Sequence, residues 1–399
     1  MDTQTDIVRQ KAQAMSQYLS SIRRQIHMHP ELGEQEFETQ RTIIGQLDEL
    51  GIEHIQYPNY TAVVGIIRGG LPGETVGLRA DIDALPLTEV SGREYGSKIP
   101  GKMHACGHDA HTTILLGAAR ILHEMRAQLK GNVKLFFQPA EETCGGAEKM
   151  IKLGCMENPH VTYMLGLHLM PRLAVGHAET RFGALNGSSD DINICIHGQK
   201  SHGASPQDGV DAIAVAANVV CALQQLVSRR TSPLDSVVVS IGQISGGTAA
   251  NIICDEVHMC GTLRTLSPAI RARMKSEIAR VVENTCAAMG ARGQCVMHSS
   301  YCALINDDEA VKRTLSVLKL ALGEQNVHMK ELPSLGVEDF SYFLEVAPGA
   351  FYHIGAAPNP TLAENWPPLH SSEFDIDERV LSLGAELQAK LVIDYLSRV

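Results

Sequence analysis

Apolar positions along the first half of the chain switch repeatedly between two periods. Residues 5–26 and 37–50 carry them at helical spacing, and short β-rich runs follow at 61–67 (TAVVGII) and 75–80 (TVGLRA). From about 110 to 127, Ile114, Leu115, Ala118, Ile121, Leu122 and Met125 mark one face of a helix. The run 132–138 (NVKLFFQ) reads as a strand, 144–153 as a short helix, and 162–168 (TYMLGLH) as a further strand. Strands and helices alternating in this way predict a mainly parallel sheet covered on both faces.

After Gly187 the pattern changes. Ile192, Ile194 and Ile196 alternate within a strand at 190–197, and a helix at 209–227 places Val210, Ile213, Ala217 and Val220 on one stripe. Strands at 236–243 and 256–264, a helix at 268–289 and a strand at 294–299 complete a β-α-β-β-α-β order, that of a ferredoxin-like unit. Such a unit leaves open sheet edges, and pairing with a second copy is one way to cover them. The α/β pattern resumes with helices at 308–322 and 339–346, a strand at 350–355 and a helix at 376–398. The expected fold class is therefore α/β: one domain over 1–186 and 300–399, interrupted by a ferredoxin-like α+β domain over 187–299.

Length supports that division, since 399 residues exceed what one core usually organises. A net charge of -11 with no basic run speaks against a nucleic-acid partner. The first twenty residues are polar, without the apolar core of a signal peptide, and no run of 18 apolar residues suggests a membrane span. Ten cysteines are scattered with no C-x-x-C pair, which fits reduced thiols in a cytoplasm.

Several predicted strands end at ligand-type residues. Asp81 and Asp83 follow the strand at 75–80, Glu141 and Glu142 follow 132–138, and His168 closes 162–168. In open α/β sheets the crevice beyond the strands' carboxyl ends is where ligands bind. The densest cluster, Met103-His-Ala-Cys106-Gly-His108-Asp109-Ala-His111, opens a helix whose first N–H groups favour a thiolate. Cys-x-His alone is a common pattern, and the bland reading is a helix start with incidental histidines. It gains weight because Glu142, His168 and His370 supply the further N and O ligands that zinc or a similar cation takes. The Glu141-Glu142 pair allows one carboxylate to bind metal while the other takes a proton from water. Alone, the pair reads equally as two solvated charges at a helix start.

With these motifs in view, the sequence resembles the aminoacylase, hippurate hydrolase and indoleacetyl-amino-acid hydrolase branch of the dinuclear metallopeptidase superfamily. The resemblance runs through His27-Met-His-Pro-Glu-Leu-Gly33, Leu78-Arg-Ala-Asp-Ile-Asp-Ala-Leu-Pro86, Met103–Asp109 and Pro139-Ala-Glu-Glu142. It continues through Gly166-Leu-His168, His202-Gly-Ala-Ser-Pro206, Ala250-Asn-Ile-Ile253, Gly261-Thr-Leu-Arg264, Glu338-Asp-Phe340 and Leu369-His-Ser371. It implies a catalytic domain with an inserted dimerisation, or lid, domain. Cys106, His108, Glu142, His168 and His370 would be the ligands of two divalent cations (Zn, Mn, Co or Ni), with Cys106 bridging. Glu141 would be the general base, His202 would stabilise the oxyanion, and Asn251 and Arg264 would hold the substrate carboxylate. Related branches carry His-x-Asp at Asp81-Ile-Asp83, so Asp81 is not assigned, and Cys254 stands where a Pro is frequent.

The implied activity is hydrolysis of N-acyl amino acids to a carboxylic acid and a free amino acid, in a homodimer. A dipeptidase or carboxypeptidase needs the same machinery and stays open as the alternative. A catalytically silent binding protein on this scaffold should have lost Glu141 or a ligand, and all are present. A thiol oxidoreductase centred on Cys106 lacks a neighbouring resolving cysteine.

Overall fold

The computed structural model describes residues 2–397; Met1, Arg398 and Val399, including the last residue of the expected helix 376–398, lie outside it. The chain divides into two compact units. One is Met1–Leu185 with Ile305–Leu332 and Asp339–Val399, and the other is Asn186–Leu304 with Pro333–Glu338.

The first unit is built on an eight-stranded sheet. Its spatial order is Glu53–Tyr57, Tyr60–Arg68, Lys130–Gln138, Leu71–Asp81, Tyr163–Ala174, Gly349–Ala357, Ala178–Thr180 and Val327–Met329. The four strands from Lys130–Gln138 to Gly349–Ala357 are mutually parallel. Tyr60–Arg68, Glu53–Tyr57 and Ala178–Thr180 join antiparallel, so the sheet is mixed around a parallel centre. Residues 76–81, 133–138 and 163–167 of those central strands, with Gly349–Ala357, are buried on both faces, which is why they read as continuous apolar runs. Helix His108–Glu124 is buried along nearly its whole length, packed by Ser16–Met28 and Arg379–Ser397. The helix expected over 5–26 is two helices, Asp2–Ala14 and Ser16–Met28, separated at Met15, whose ψ of 1° breaks the helical run. The short outer strands escaped the periodicity because three to five residues give too few alternations to register.

The second unit is a four-stranded antiparallel sheet in the order Arg292–Ser299, Ser188–His197, Glu256–Thr265, Val237–Gly246. Helices Ala212–Arg230 and Pro268–Ala288 supply the rest of its core. This is the β-α-β-β-α-β arrangement that the alternating isoleucines predict. Ala212–Arg230 is long and apolar enough to cross a membrane by composition. In the fold, however, Val215, Val219, Leu223 and Leu226 are core residues, and Asp211 caps the helix by accepting from the N–H groups of Ile213 and Ala214.

Candidate metal centre

Two neighbouring strands and the loops that follow them converge at one crevice of the first unit. Leu71–Asp81 delivers Asp81 and, two residues on, Asp83. Lys130–Gln138 leads through Pro139 and Ala140 to Glu141 and Glu142. Ala140 takes a φ of 59°, and its N–H is held by Glu36 Oε1 at 3.0 Å, so the turn is fixed by a buried side chain. Gly33 packs against this turn: a Cβ there would lie 2.4 Å from Thr143 Oγ1 and 3.0 Å from Ala140 Cα. His168 does not end its strand, which runs on to Ala174. Pairing with Leu71–Asp81 stops at Arg79 and Gly166, so beyond Gly166 that edge opens onto the crevice.

Cys106 and His108 flank Gly107, whose φ of 88° starts helix His108–Glu124 in a conformation that strains L side chains. His370 has a φ of 62°, and its N–H donates to Ala105 O at 2.8 Å, so its loop is tied directly beside Cys106.

Ligand-type atoms from these segments face one another. Cys106 Sγ lies 3.4 Å from His168 Nε2, and Glu142 Oε1 lies 3.1 Å from His370 Nε2 and 4.0 Å from His108 Nε2. Cys106, His108 and His168 form one group with ligand atoms within 4.8 Å of one another; Cys106, Glu142 and His370 form a second. Glu141 joins a third with His108 and Glu142 and is itself buried. His108 Nε2 and Glu142 Oε1 are buried yet make no aligned hydrogen bond. Buried polar atoms without partners are costly, and a cation between them would satisfy both.

The surrounding hydrogen bonds decide which atoms face inward. His108 Nδ1 meets Asp83 O at 2.9 Å and Asp83 Oδ1 at 3.2 Å, while Asp83 Oδ2 accepts from the Glu142 N–H at 2.9 Å. His168 Nδ1 donates to Leu169 O at 2.7 Å, which directs Nε2 toward Cys106. Asp81 is fully engaged, with Oδ1 2.6 Å from His111 Nδ1 and Oδ2 accepting from Arg79 at 2.7 Å. His111 Nε2 in turn accepts from the Leu169 N–H at 3.0 Å. Asp81 and His111 therefore brace the centre from behind, and because Asp81 Oδ2 also lies 3.6 Å from His108 Nε2, Asp81, His108 and His111 form a further group of ligand-type atoms.

Electrostatics matches this division. Burial alone would raise the Asp81 carboxyl, but His108, His111 and Arg79 outweigh it and hold it well below the usual range. Burial keeps His168 well below its ordinary value, hence a neutral imidazole able to coordinate. Burial and then the Glu142 carboxylate push the Cys106 thiol well up, so a thiolate there requires a compensating cation.

Sequence reasoning passed over two buried networks behind the centre. Arg79 donates to Gln138 and to Asp339, which also accepts from Gln138 and from the Ala147 N–H. Fully buried Arg23 donates to Asp109 at 2.7 Å and to Asp375 at 2.9 Å, and His27 Nδ1 lies 2.7 Å from the same Asp109 oxygen. A charge inside the apolar strand 75–80 was the available signal for Arg79.

In the second unit, His202 and Asn251 are brought together. Residues 202 and 252 form a bridge, and the Gly203 N–H donates to Asn251 O at 2.7 Å. Arg264 sits elsewhere, opposite Ser189 near the far end of strand Glu256–Thr265.

A Cys/His/Glu centre, buried at Cys106 and His108 and open to solvent at His370, at the carboxyl ends of a parallel sheet in a unit interrupted by a ferredoxin-like one, defines a metal-dependent hydrolase of metallopeptidase type. The chain belongs to Peptidase family M20/M25/M40, whose model matches residues 77–394. It is 39% identical over 393 residues to IAA-amino acid hydrolase ILR1-like 2 of Arabidopsis thaliana, covering 97% of this chain and 87% of that one. Thermostable carboxypeptidase 2 of Saccharolobus solfataricus is 38% identical over 384 residues, 95% of each chain. Among solved structures, the YXEP protein of Bacillus subtilis, a dinuclear metal-binding peptidase of the M20 family, superposes with a TM-score of 0.84 at 33% identity. That match covers 97% of this chain and 100% of the other. The chain is accordingly a hydrolase of amide bonds, in the aminoacylase and amidohydrolase branch of the family.

Proposed function

We propose that this chain hydrolyses N-acyl amino acids to a carboxylic acid and a free amino acid, with Cys106, His108, Glu142, His168 and His370 holding two divalent cations. The observation that carries the reading is the membership of Cys106 in both ligand groups, as a bridging thiolate requires, with buried Glu141 beside them. When bound, the cations would lower the pKa of a water and polarise the acyl carbonyl. The chain's own residues do the rest. Glu141 takes the proton from the attacking water on a carboxylate oxygen and later delivers it to the departing amine nitrogen. His202 donates to the oxygen that becomes negative as the carbonyl turns tetrahedral. Asn251 and Arg264 hold the amino acid's carboxylate, Arg264 through its planar fork.

His202 and Asn251 lie beyond the Glu256 end of strand Glu256–Thr265, whereas Arg264 lies eight residues along it. At ~3.4 Å per residue that is roughly 27 Å, longer than an N-acyl amino acid. One substrate touching all three therefore needs them from two copies, which supports a homodimer with shared sites. Ten free thiols suit a reducing cytoplasm. The mixed thiolate, imidazole and carboxylate set accepts Zn, Mn, Co or Ni.

The carboxypeptidase relative favours one second reading, cleavage of peptides. The test is hydrolysis of N-acetyl and N-benzoyl amino acids against dipeptides, after removing metal and reloading with each of the four cations. Cleavage of N-acyl amino acids in preference is expected. Cleavage of dipeptides alone would transfer the assignment to the second reading.

A further inference from the structure

Away from the centre, a second set of ligand-type side chains among the described residues lies on the helix-free face of the four-stranded sheet. Along Ser188–His197, Ile192, Ile194 and Ile196 are buried in the unit's core, so Cys195 and His197 project from the opposite face. Along Glu256–Thr265, Val257 and Met259 are buried, so Glu256 and His258 share that outer face. The antiparallel register sets Cys195 directly across from His258, and His197 directly across from Glu256. Four residues able to bind a metal thus stand at the corners of one cross-strand rectangle, with opposed Cβ atoms about 4.5–5.5 Å apart.

The side chains are turned toward one another. Cys195 Sγ lies 3.3 Å from His197 Nε2, His197 Nδ1 lies 3.1 Å from Glu256 Oε2, and His258 Nε2 lies 2.9 Å from Glu256 Oε1. Cys195, His197 and Glu256 each offer a ligand atom within 4.8 Å of the others. All are partly or well exposed, so an ion can enter from solvent. On the other side of Ser188–His197, Gln294 and Arg292 stand across from Cys195 and His197, and neither is a metal ligand. The arrangement therefore closes only between the two central strands.

We propose that Cys195, His197, Glu256 and His258 bind one divalent cation of borderline softness, zinc in first place, clipping the two central strands of the second unit together. One thiolate, two imidazoles and a carboxylate make a four-coordinate zinc-type donor set. A separation of 3.3 Å between Sγ and Nε2 is close to what two tetrahedral ligands subtend at ~2.3 and ~2.0 Å from zinc. On binding, the Cys195 thiol releases its proton to solvent as the sulfur–metal bond forms.

The test compares wild type with Cys195→Ser and with His258→Gln, each loaded with excess zinc, desalted and analysed for zinc per chain. Each variant should hold one zinc fewer than wild type at unchanged kcat. Because the readout is a difference, it stands whatever the occupancy of the Cys106 centre. A second measurement needs no variant. Alkylation of wild-type Cys195, followed by peptide mass spectrometry, should slow several-fold in zinc, while exposed Cys260 on the neighbouring strand reacts unchanged. Equal zinc content in wild type and variants, or Cys195 alkylation indifferent to zinc, would overturn the proposal.

Discussion

His108 illustrates how single side chains are prepared for coordination. Asp83 engages its Nδ1, which leaves Nε2 buried and unpaired toward Cys106 and Glu142. Outer partners of this kind orient a ligand and raise its basicity, and their loss costs about 10–100-fold in metal affinity. Asp83→Asn should lose affinity in that range, measured by metal-chelator competition. Cys106→Ala should lose more, with bound metal and activity falling together; full activity with Cys106 removed would end its proposed role as the bridge. The adjacent glutamates separate by experiment. Glu141→Gln removes the base and should cut kcat by about a hundred- to ten-thousand-fold at normal metal content. Glu142→Gln should instead lower metal content, because a neutral amide replaces an anionic ligand. Metal analysis with the opposite result would exchange the two assignments. Asp81 and Asp83 were indistinguishable in the sequence, since both follow the same strand. Packing gives them different partners: Arg79 and His111 engage Asp81, while His108 and the Glu142 N–H engage Asp83.

At the scale of elements, the centre depends on where turns begin. Helix His108–Glu124 starts immediately after Gly107, and the Pro139–Glu142 turn is locked by Glu36 from one side and packed by Gly33 from another. Gly33→Ala would place a methyl 3.0 Å from the Ala140 backbone, which has no freedom to rotate away. Overpacking of this order costs about 1–3 kcal/mol. The turn would shift Glu141 and Glu142 with it, so both the urea unfolding midpoint and kcat should fall. Wild-type values for both would show that Gly33 does not set the turn. Helices Phe37–Leu50 and Asp308–Leu322 were legible residue for residue, because amphipathic spacing and terminal residues agree. The extension of Tyr163–Ala174 past His168 was not, because its partner Gly349–Ala357 lies far along the chain.

For the whole molecule, the separation of His202 and Asn251 from Arg264 along one sheet makes assembly a question of activity. Glu141→Gln and His202→Ala, each nearly inactive alone, can be unfolded and refolded together. If sites are shared, a mixed dimer has one site with both defects and one with neither. Random pairing makes about half the dimers mixed, so roughly a quarter of wild-type activity should return. Mixed dimers that form, shown by differently tagged chains, and stay inactive would place His202 and Glu141 in the same chain's site.

The longer elements, the interrupted α/β plan and the segments that carry ligand-type residues were readable from the chain, whereas the short outer strands were not. Periodicity, turn residues and short motifs are local properties, and local properties survive in a linear sequence. Which partners Asp81 and Asp83 engage, how Arg79 and Arg23 are neutralised, and that Cys195 stands across from His258 were decided only on folding. Each of those depends on register and on contacts between residues distant in sequence, where a shift of one position in a strand turns every side chain to the other face.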